Sequence, residues 1–374
     1  MTGPPAWIDR LERVAAVAAA NATAVDGNAT FPQATIDAMR SEGLLGLISA
    51  KIVGGLGEGL RAAAMVVERL ARECGSSAMV VHMHLAGAAL IEECGSEAMR
   101  REVASGEHLS TLAFSEASSR SQFWAPTGTA TAAGEMIQLD AKKSWVTSAS
   151  HCTAYVWSSK PVSVEGASTL WLVPRDTPGL SVPGAFTGLG LRGNDSTPVA
   201  ATAVRIPAAN RLGDDGAGFG LMMEVVLPFF NVMNAACSIG LMEAITSRTA
   251  VYAAAKKFEH TGERIADLPQ MRAKIAAMRI RTDCIRALLL DTLEALETGR
   301  PDAMLRVLEI KCAAGDAATE VAATGMRVCG GSAYRKDVGV ERYFRDAQAA
   351  SVMAPTSDQL LDFIGKAVCG LPLF

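Results

Sequence analysis

The sequence predicts a mainly helical α+β protein with an N-terminal helical domain, a middle β-barrel or sandwich, and a C-terminal four-helix bundle. Apolar residues recur at helical spacing in the first and last parts of the chain, whereas short β-branched runs between Gly and Pro fill the middle. The 374 residues suffice for two or three packed units, and the 49% of hydrophobic residues supports a large core. We therefore predict domains at residues 1–109, 110–213 and 214–374.

The N-terminal region contains two helical patterns separated by a glycine. In residues 60–70, apolar side chains lie three and four positions apart, which indicates a helix with one buried face. Residues 77–93 repeat this pattern after Gly75, which suits the end of one helix and the start of another. Helices are therefore expected throughout this region.

The middle region contains the strand signals. Five short runs rich in β-branched and aromatic residues are separated by turn-forming residues. They lie at residues 129–131, 136–139, 153–157, 170–173 and 203–206. Strands of this length at such intervals predict a small barrel or sandwich.

The C-terminal region returns to long helical patterns. These run over residues 219–258, 268–298 and 302–329, with a Gly-Arg-Pro break at 299–301. Helices of this length predict an elongated bundle. The junction between the bundle and the β domain is the crevice where we expect a large, flat cofactor.

The most apolar stretch of the chain, residues 221–241, is predicted to be a buried bundle helix. It contains Glu224, Asn231 and Asn234, which a membrane-spanning segment would disfavour. The start of the chain is interrupted by charges such as Asp9 and Arg10, so we expect no signal peptide.

Charge and cysteine content narrow the class of protein. The 35 basic and 39 acidic residues give a net charge of −4 without a basic block, which argues against a nucleic-acid partner. No pair of the eight cysteines has metal-ligand spacing, and no metal site is predicted. We expect reduced core thiols in a cytoplasmic protein.

Several short motifs occur in a fixed order along the chain. They are residues 112–116 followed by Ser121, 143–147, 188–192, 204–207, 213–219, and 329–331 with 341–342 and 345–347. In these motifs the chain resembles the acyl-CoA dehydrogenase superfamily over nearly its whole length. The resemblance implies FAD between the β domain and the bundle, with FMN as an alternative.

The resemblance also implies which residues hold the flavin. Trp145 would form an aromatic wall for the ring, and Thr147 would place its hydroxyl near the flavin N5. The Phe114 backbone and Ser115 would contact the pyrimidine edge, and Ser121 would contact the pyrophosphate. An indole, a hydroxyl and backbone groups together suit a ring with one apolar face and a polar edge.

Further flavin contacts are implied near the C-terminus. Gly330 and Gly331 would let the backbone approach the dinucleotide of a neighbouring subunit, because neither has a Cβ atom. Arg327 occupies the place of a glutamine in many members, and Thr356 would lie on the adenosine side of the active-site turn. Lys257 stands near the position of an arginine that in many members reaches the pyrophosphate.

The chain departs from the family where the catalytic base is expected. Members use a carboxylate to remove the α-proton of an acyl thioester. Ala354 falls at its usual position and Phe230 at the alternative one, with Asn231 next to it. We expect Phe230, Asn231, Asn234 and Ala354 to line the substrate pocket.

A histidine is the remaining candidate for proton transfer. His84 lies in a helix that borders the substrate cavity in this superfamily, and a histidine can act as base near neutral pH. A structural role is the competing interpretation, as it is for His151. Glu116 is expected to be a fold residue at the entrance of the β domain.

Three functions remain open at this stage. The first is a flavin-dependent dehydrogenase or oxidase that acts on an unusual carrier- or CoA-bound acyl group, an amine or a hydroxy acid. The second is a flavin-dependent monooxygenase of the same fold, and the third is a homologue without catalytic activity. The long apolar helices predict a homodimer or homotetramer; the substrate and the electron acceptor are open.

Overall fold

The computed structural model describes residues 5–120 and 122–373. Its N-terminal part consists of helices joined by short loops, as the sequence predicts. The longer helices are α1 (Trp7–Asn28), α2 (Gln33–Ser41), α3 (Leu60–Ala71), α4 (Gly75–Cys94) and α5 (Glu97–Ser105). Gly75 is the first residue of α4, so it begins a helix where the sequence indicated a break.

Within the described part of the chain, eight strands follow and form two four-stranded sheets. They are β1 (Ser110–Ala113), β2 (Thr129–Ala133), β3 (Met136–Val146), β4 (Ala154–Ser159), β5 (Thr169–Pro174), β6 (Leu180–Ser181), β7 (Thr197–Pro207) and β8 (Arg211–Leu212). One sheet has the order β1-β4-β5-β8 and the other has the order β2-β3-β7-β6. The pair β1–β4 is parallel, and all other pairs are antiparallel.

The central strands β4 and β5 are buried on both faces, which explains their continuous apolar sequences. Successive side chains of a strand point to opposite faces. Tyr155 and Trp171 pack between the two sheets, whereas Val156 and Leu172 belong to the helical core on the other side. This sheet is therefore the layer that joins the β domain to the helices.

The C-terminal part is a helical bundle. Its elements are α6 (Gly218–Leu221), a π-helical turn (Met222–Val226), α7 (Leu227–Ala255), α8 (Pro269–Thr298), α9 (Ala303–Cys329), α10 (Val340–Ala347), α11 (Ala349–Val352) and α12 (Ser357–Val368). Helices α7, α8 and α9 pack on one another, and α12 packs on α9. Gly299 ends α8 in the left-handed conformation, φ 64°, in keeping with its position as the first residue of the predicted break.

Helices α4 and α7 form the centre of the molecule. Nearly every residue of α4 is buried, and α7 is buried over most of its length, as expected for helices that are apolar all round. The continuous segment Gly218–Ala255 is long and apolar enough to cross a membrane, yet 89% of its most apolar window is buried inside the protein. It is the buried bundle helix that the sequence predicts.

The cysteines agree only in part with expectation. All eight cysteines are free, but Cys284 and Cys369 are exposed rather than buried in the core. Within residues 5–120 and 122–373, no cluster of three or more His, Cys, Asp or Glu side chains is arranged to hold a metal ion.

Three buried histidines are held in the neutral form. Burial lowers the pKa of His82 to about 3, that of His84 to about 4 and that of His108 to about 3. The unfolded chain would bind protons on these rings below pH 6.5, whereas the folded chain binds them only near pH 4 or lower. Their contribution to stability is therefore present above pH 6.5 and is lost as the pH falls.

We predict that the free energy of unfolding decreases between pH 7 and 5.5, with a slope that approaches about 1.4 kcal/mol per pH unit for each histidine. Urea unfolding at several pH values measures this slope. His84→Gln should reduce the slope, and His260→Gln at an exposed position should leave it unchanged. Equal slopes for wild type and His84→Gln would contradict the conclusion that His84 is buried and neutral in the folded protein.

Candidate functional site

A cavity of about 750 Å³ lies where the β domain meets the helices. One wall comes from the ends of β1 and β3 and from the loop before β7, and the other comes from α7 and the segment around α11. The predicted site residues on it are Phe114, Ser115, Trp145, Thr147, Phe230, Ala354 and Thr356. The fold thus brings seven of the predicted residues to one cavity.

Trp145 is the most unusual residue of the β wall. Its side chain is 73% exposed although it sits in β3, one residue before the strand ends. Its φ angle is 57°, in the left-handed region that a bulky residue rarely adopts, and the register of β3 against β7 shifts at this point. Such strain, held by the surrounding sheet, is typical of binding sites.

Thr147 lies two residues after Trp145 and is buried. Its hydroxyl lies 2.9 Å from the Ser196 hydroxyl, and its carbonyl accepts a hydrogen bond of 2.6 Å from Thr111. Ser196 and Asn194 also line the cavity. The wall beside Trp145 is therefore a group of fixed hydroxyl and amide groups.

Ser115 and Ser144 join the two sheets next to Trp145. The Ser144 backbone N–H donates to the Ser115 carbonyl at 2.8 Å. Behind them, the buried Lys143 ammonium lies 2.6 Å from Glu116 and 2.7 Å from the Ser158 carbonyl oxygen. These contacts hold the strand that presents the indole.

The Glu116–Lys143 pair is a structural ion pair. Burial alone would raise the pKa of Glu116, but Lys143 and the Thr127 hydrogen bonds hold it below its ordinary value. Burial lowers the pKa of Lys143 to about 8, despite the attraction of Glu116. Glu116 also accepts hydrogen bonds from the backbone N–H groups of Thr127 and Gly128. Its carboxylate oxygens therefore serve as acceptors for contacts within the fold.

The helical wall contains the two positions at which the family resemblance places a catalytic carboxylate. Phe230 on α7 and Ala354, between α11 and α12, line the same cavity. Thr356 begins α12, where its hydroxyl accepts a hydrogen bond from the Gln359 backbone N–H. Among the described residues on the cavity wall, Glu116 is the only carboxylate.

Asn231 and Asn234 lie behind this wall rather than on it. The Asn231 amide donates to the Val307 carbonyl at 3.1 Å, and the Asn234 amide lies 3.8 Å from the Met353 sulfur. Both side-chain oxygens are buried without a hydrogen-bond partner. The expected place of these amides in the substrate pocket thus differs from their place in the fold.

His84 does not reach the cavity, which corrects the expectation that it acts as a base. The Ser110 backbone N–H donates to Nδ1 at 3.0 Å, so Nε2 carries the proton and donates to the Leu45 carbonyl at 2.9 Å. The ring is fully buried and neutral, and it ties α4 to β1. His151 is also placed elsewhere, stacked on Phe31 and 2.9 Å from Asp195.

The remaining flavin candidates are not on the cavity. Arg327, Gly330 and Gly331 are exposed at the end of α9, and a Cβ at either glycine would meet no atom within 4 Å. Lys257 is likewise exposed. The predicted pyrophosphate contact Ser121 lies outside the described residues.

The sequence did not single out the loop at residues 186–191 as part of the cavity wall. Its glycines permit close contact: a Cβ at Gly190 would lie 2.3 Å from the Arg345 carbonyl oxygen. Asp346 accepts a hydrogen bond of 2.6 Å from the Leu191 backbone N–H, and Arg345 pairs with Asp26 and Glu341. The motif at 345–347 therefore holds this loop.

Comparison with known proteins identifies the family. Residues 9–106, 111–204 and 216–369 match the N-terminal, middle and C-terminal domains of acyl-CoA dehydrogenases. A probable acyl-CoA dehydrogenase (YngJ) of Bacillus subtilis is 28% identical over 348 residues, covering 91% of this chain and 90% of the relative. Cyclohex-1-ene-1-carbonyl-CoA dehydrogenase of Geobacter metallireducens is 27% identical, covering 94% and 93%.

Solved structures share the whole fold. Butyryl-CoA dehydrogenase from Megasphaera elsdenii superposes with a TM-score of 0.91 at 21% identity, covering 99% of both chains. The prolyl acyl carrier protein oxidase AnaB gives 0.88 at 19% identity, covering 98% and 100%. An FAD-dependent dehydrogenase gives 0.87 at 22% identity, covering 100% of both.

The chain belongs to the acyl-CoA dehydrogenase superfamily and is a flavin-dependent oxidoreductase. The cavity is suited to a flavin: an exposed indole provides a flat apolar face, and buried hydroxyl groups lie beside it.

We predict that Lys143→Met lowers the free energy of unfolding by about 3–5 kcal/mol, because Glu116 would be left buried without its counterion. Denaturant unfolding measures the change. The exposed neighbour Lys142→Met is the matched control and should shift stability by less than about 0.5 kcal/mol. Adding Glu116→Gln to Lys143→Met should restore part of the loss; a double variant less stable than Lys143→Met would contradict the pairing.

Proposed function

We propose that this protein is an FAD-dependent oxidoreductase that oxidises a carrier- or CoA-bound acyl group without a carboxylate base on the protein. The observation that supports this most directly is the composition of one cavity. It contains Trp145 and Thr147 from the β domain together with Ala354 and Phe230 from the helices. Among the described residues of the cavity wall, Glu116 is the only carboxylate, and it forms an ion pair with Lys143.

The β wall would hold the flavin. Bound FAD supplies the hydride acceptor for the reaction. Trp145 would lie against the ring, and Thr147 and Ser115 would hydrogen-bond its polar edge. Thr147 is suited to orient a ring atom because its hydroxyl is already fixed by Ser196 at 2.9 Å.

A second copy of the chain would complete the cofactor site. Arg327, Gly330 and Gly331 are exposed and do not line the cavity of their own subunit. Gly330 has φ 59° with open space around it, so a phosphate or adenosine group could approach its backbone. We therefore propose a homodimer or a tetramer built from dimers.

The position of Ala354 bears on the substrate class. Removing an α-proton from a simple acyl thioester requires a base within hydrogen-bond reach, and an alanine side chain cannot accept a proton. A substrate with nitrogen or oxygen on the carbon that loses hydride needs no such base. Its lone pair forms the new double bond as the C–H bond breaks, and the N–H or O–H proton leaves to water.

One of the solved structures supports this substrate class. One structure of the same fold is named as a prolyl acyl carrier protein oxidase, whose substrate is an amino-acyl group on a carrier protein. We propose a substrate of this chemical class, presented as a thioester, for the present chain.

We predict that Trp145→Ala weakens FAD binding about tenfold or more, because the ring loses its aromatic contact. Quenching of FAD fluorescence on titration with protein gives the Kd. Ile52→Ala, which removes another exposed apolar side chain outside the cavity, should bind FAD as wild type does. Unchanged affinity in Trp145→Ala would show that the flavin lies elsewhere.

We further predict that Ala354→Glu enables octanoyl-CoA to bleach the flavin under anaerobic conditions, whereas wild type does not react. The new carboxylate would stand on the substrate side of the cavity, within reach of the α-carbon. Val352→Glu is the control, because it adds a carboxylate at an exposed position on the same rim. Bleaching by wild type at a comparable rate would refute the base-free proposal.

A flavin-dependent monooxygenase is the second candidate, because a site without a carboxylate base also suits oxygen activation. Admitting oxygen to photoreduced protein distinguishes the monooxygenase from the dehydrogenase or oxidase. A transient absorbance of an oxygen adduct would favour the monooxygenase. Direct reoxidation without that transient, together with anaerobic bleaching by an amino-acyl thioester, would favour the dehydrogenase or oxidase.

A further inference from the structure

A buried lysine fixes the cavity wall that contains Ala354. The Lys311 ammonium on α9 lies 3.0 Å from the Ala350 carbonyl oxygen, 3.0 Å from that of Met353 and 2.7 Å from that of Pro355. The side chain is 1% exposed. Three N–H groups thus meet three carbonyls on one short segment, residues 350–355, which we call the backing turn.

No carboxylate forms an ion pair with Lys311 within the described residues. The titratable groups near it are His82 from α4, which is neutral, and Cys312 and Asp316 from its own helix. Burial lowers the pKa of Lys311 to about 7, because the charge is compensated only by carbonyl dipoles and by these more distant groups. The buried Lys311 therefore loses its proton more easily than an exposed lysine does.

Helix α7 contributes amides but no charge to this contact. Asn231 bonds the Val307 carbonyl, one helical turn before Lys311, and Asn234 touches the Met353 side chain. The opposite side of the backing turn faces the cavity through Met353, Ala354 and Pro355. Groups hidden behind the wall therefore hold the atoms that face the substrate.

We propose that Lys311 is a positioning residue that fixes the backing turn in the shape the substrate meets, and that loss of its proton loosens this turn. A neutral amine has two N–H groups and a lone pair, so one of the three carbonyls loses its donor and faces the lone pair. The two remaining hydrogen bonds also lose their charge-assisted strength. The wall around Ala354 should therefore be more mobile above neutral pH.

Hydrogen exchange tests this without any substrate. In wild type, protection of amides in the peptide covering residues 350–356 should fall about tenfold between pH 6 and 8.5, after correction for the intrinsic exchange rate. Lys311→Met should abolish the difference and give low protection at both pH values. Lys160→Met, at an exposed position, should behave as wild type. Constant protection in wild type would overturn the proposal.

Lys311→Arg provides a second variant, because it keeps the charge at all these pH values. If it folds, protection of the backing turn should no longer change with pH. A pH dependence that persists in Lys311→Arg would assign the titration to another group and refute the role of Lys311.

A kinetic experiment, which rests on the proposed function, tests whether the backing turn also positions the substrate. In the Ala354→Glu protein, flavin reduction by saturating octanoyl-CoA should slow about tenfold on adding Lys311→Met at pH 6.5. The Kd for FAD should stay within about twofold, because the β wall is untouched. If Ala354→Glu itself is inactive, the placement of residue 354 within reach of the α-carbon fails, while the exchange result still decides the role of Lys311. Equal rates with and without Lys311→Met would show that the turn does not position substrate.

Discussion

The buried Glu116–Lys143 pair is the contact on which the β side of the site depends. Lys143 bonds Glu116 and the Ser158 carbonyl, and its neighbour Ser144 bonds the Ser115 carbonyl, so one short segment joins β1, β3 and β4. The next residue is Trp145, whose φ of 57° is unfavourable for an isolated chain. A strained and exposed indole persists there because buried, charge-assisted hydrogen bonds fix the residues before it.

Both walls of the cavity are thus supported by a buried ammonium group. The two ammonium groups differ in the partners that stabilise their positive charge. Lys143 has a carboxylate partner, and burial lowers its pKa only to about 8. Lys311 has three carbonyls and no ion-pair partner within the described chain, and its pKa falls to about 7. The wall proposed to hold the flavin therefore has a buried ammonium with a counterion, whereas the wall proposed to face the substrate has a buried ammonium held by carbonyl oxygens alone.

The sequence predicted the long helices and five of the eight described strands because their patterns are local, whereas β1, β6 and β8 were not predicted as strands. Helix α9 begins and ends within a residue of its expected bounds, and α8 does so as well. The amides of Asn231 and Asn234 were harder to place, because a polar residue on an apolar helix signals burial but not its partner. The partners, Val307 and Met353, lie far along the chain and meet α7 only in the packed bundle. His84 differs from expectation for the same reason, since its two backbone contacts come from separate segments.

By itself, the sequence determined the class of this protein: three regions of distinct periodicity, and short motifs in family order, including Trp145 and Thr147. It also determined that alanine stands at position 354, since the identity of a residue does not depend on folding. Only the tertiary structure decided that Ala354, Phe230 and Trp145 share one cavity, and that Lys311 stands behind its wall. Those facts depend on contacts between residues distant in the chain, which a local pattern does not specify because each element has several faces on which it could pack.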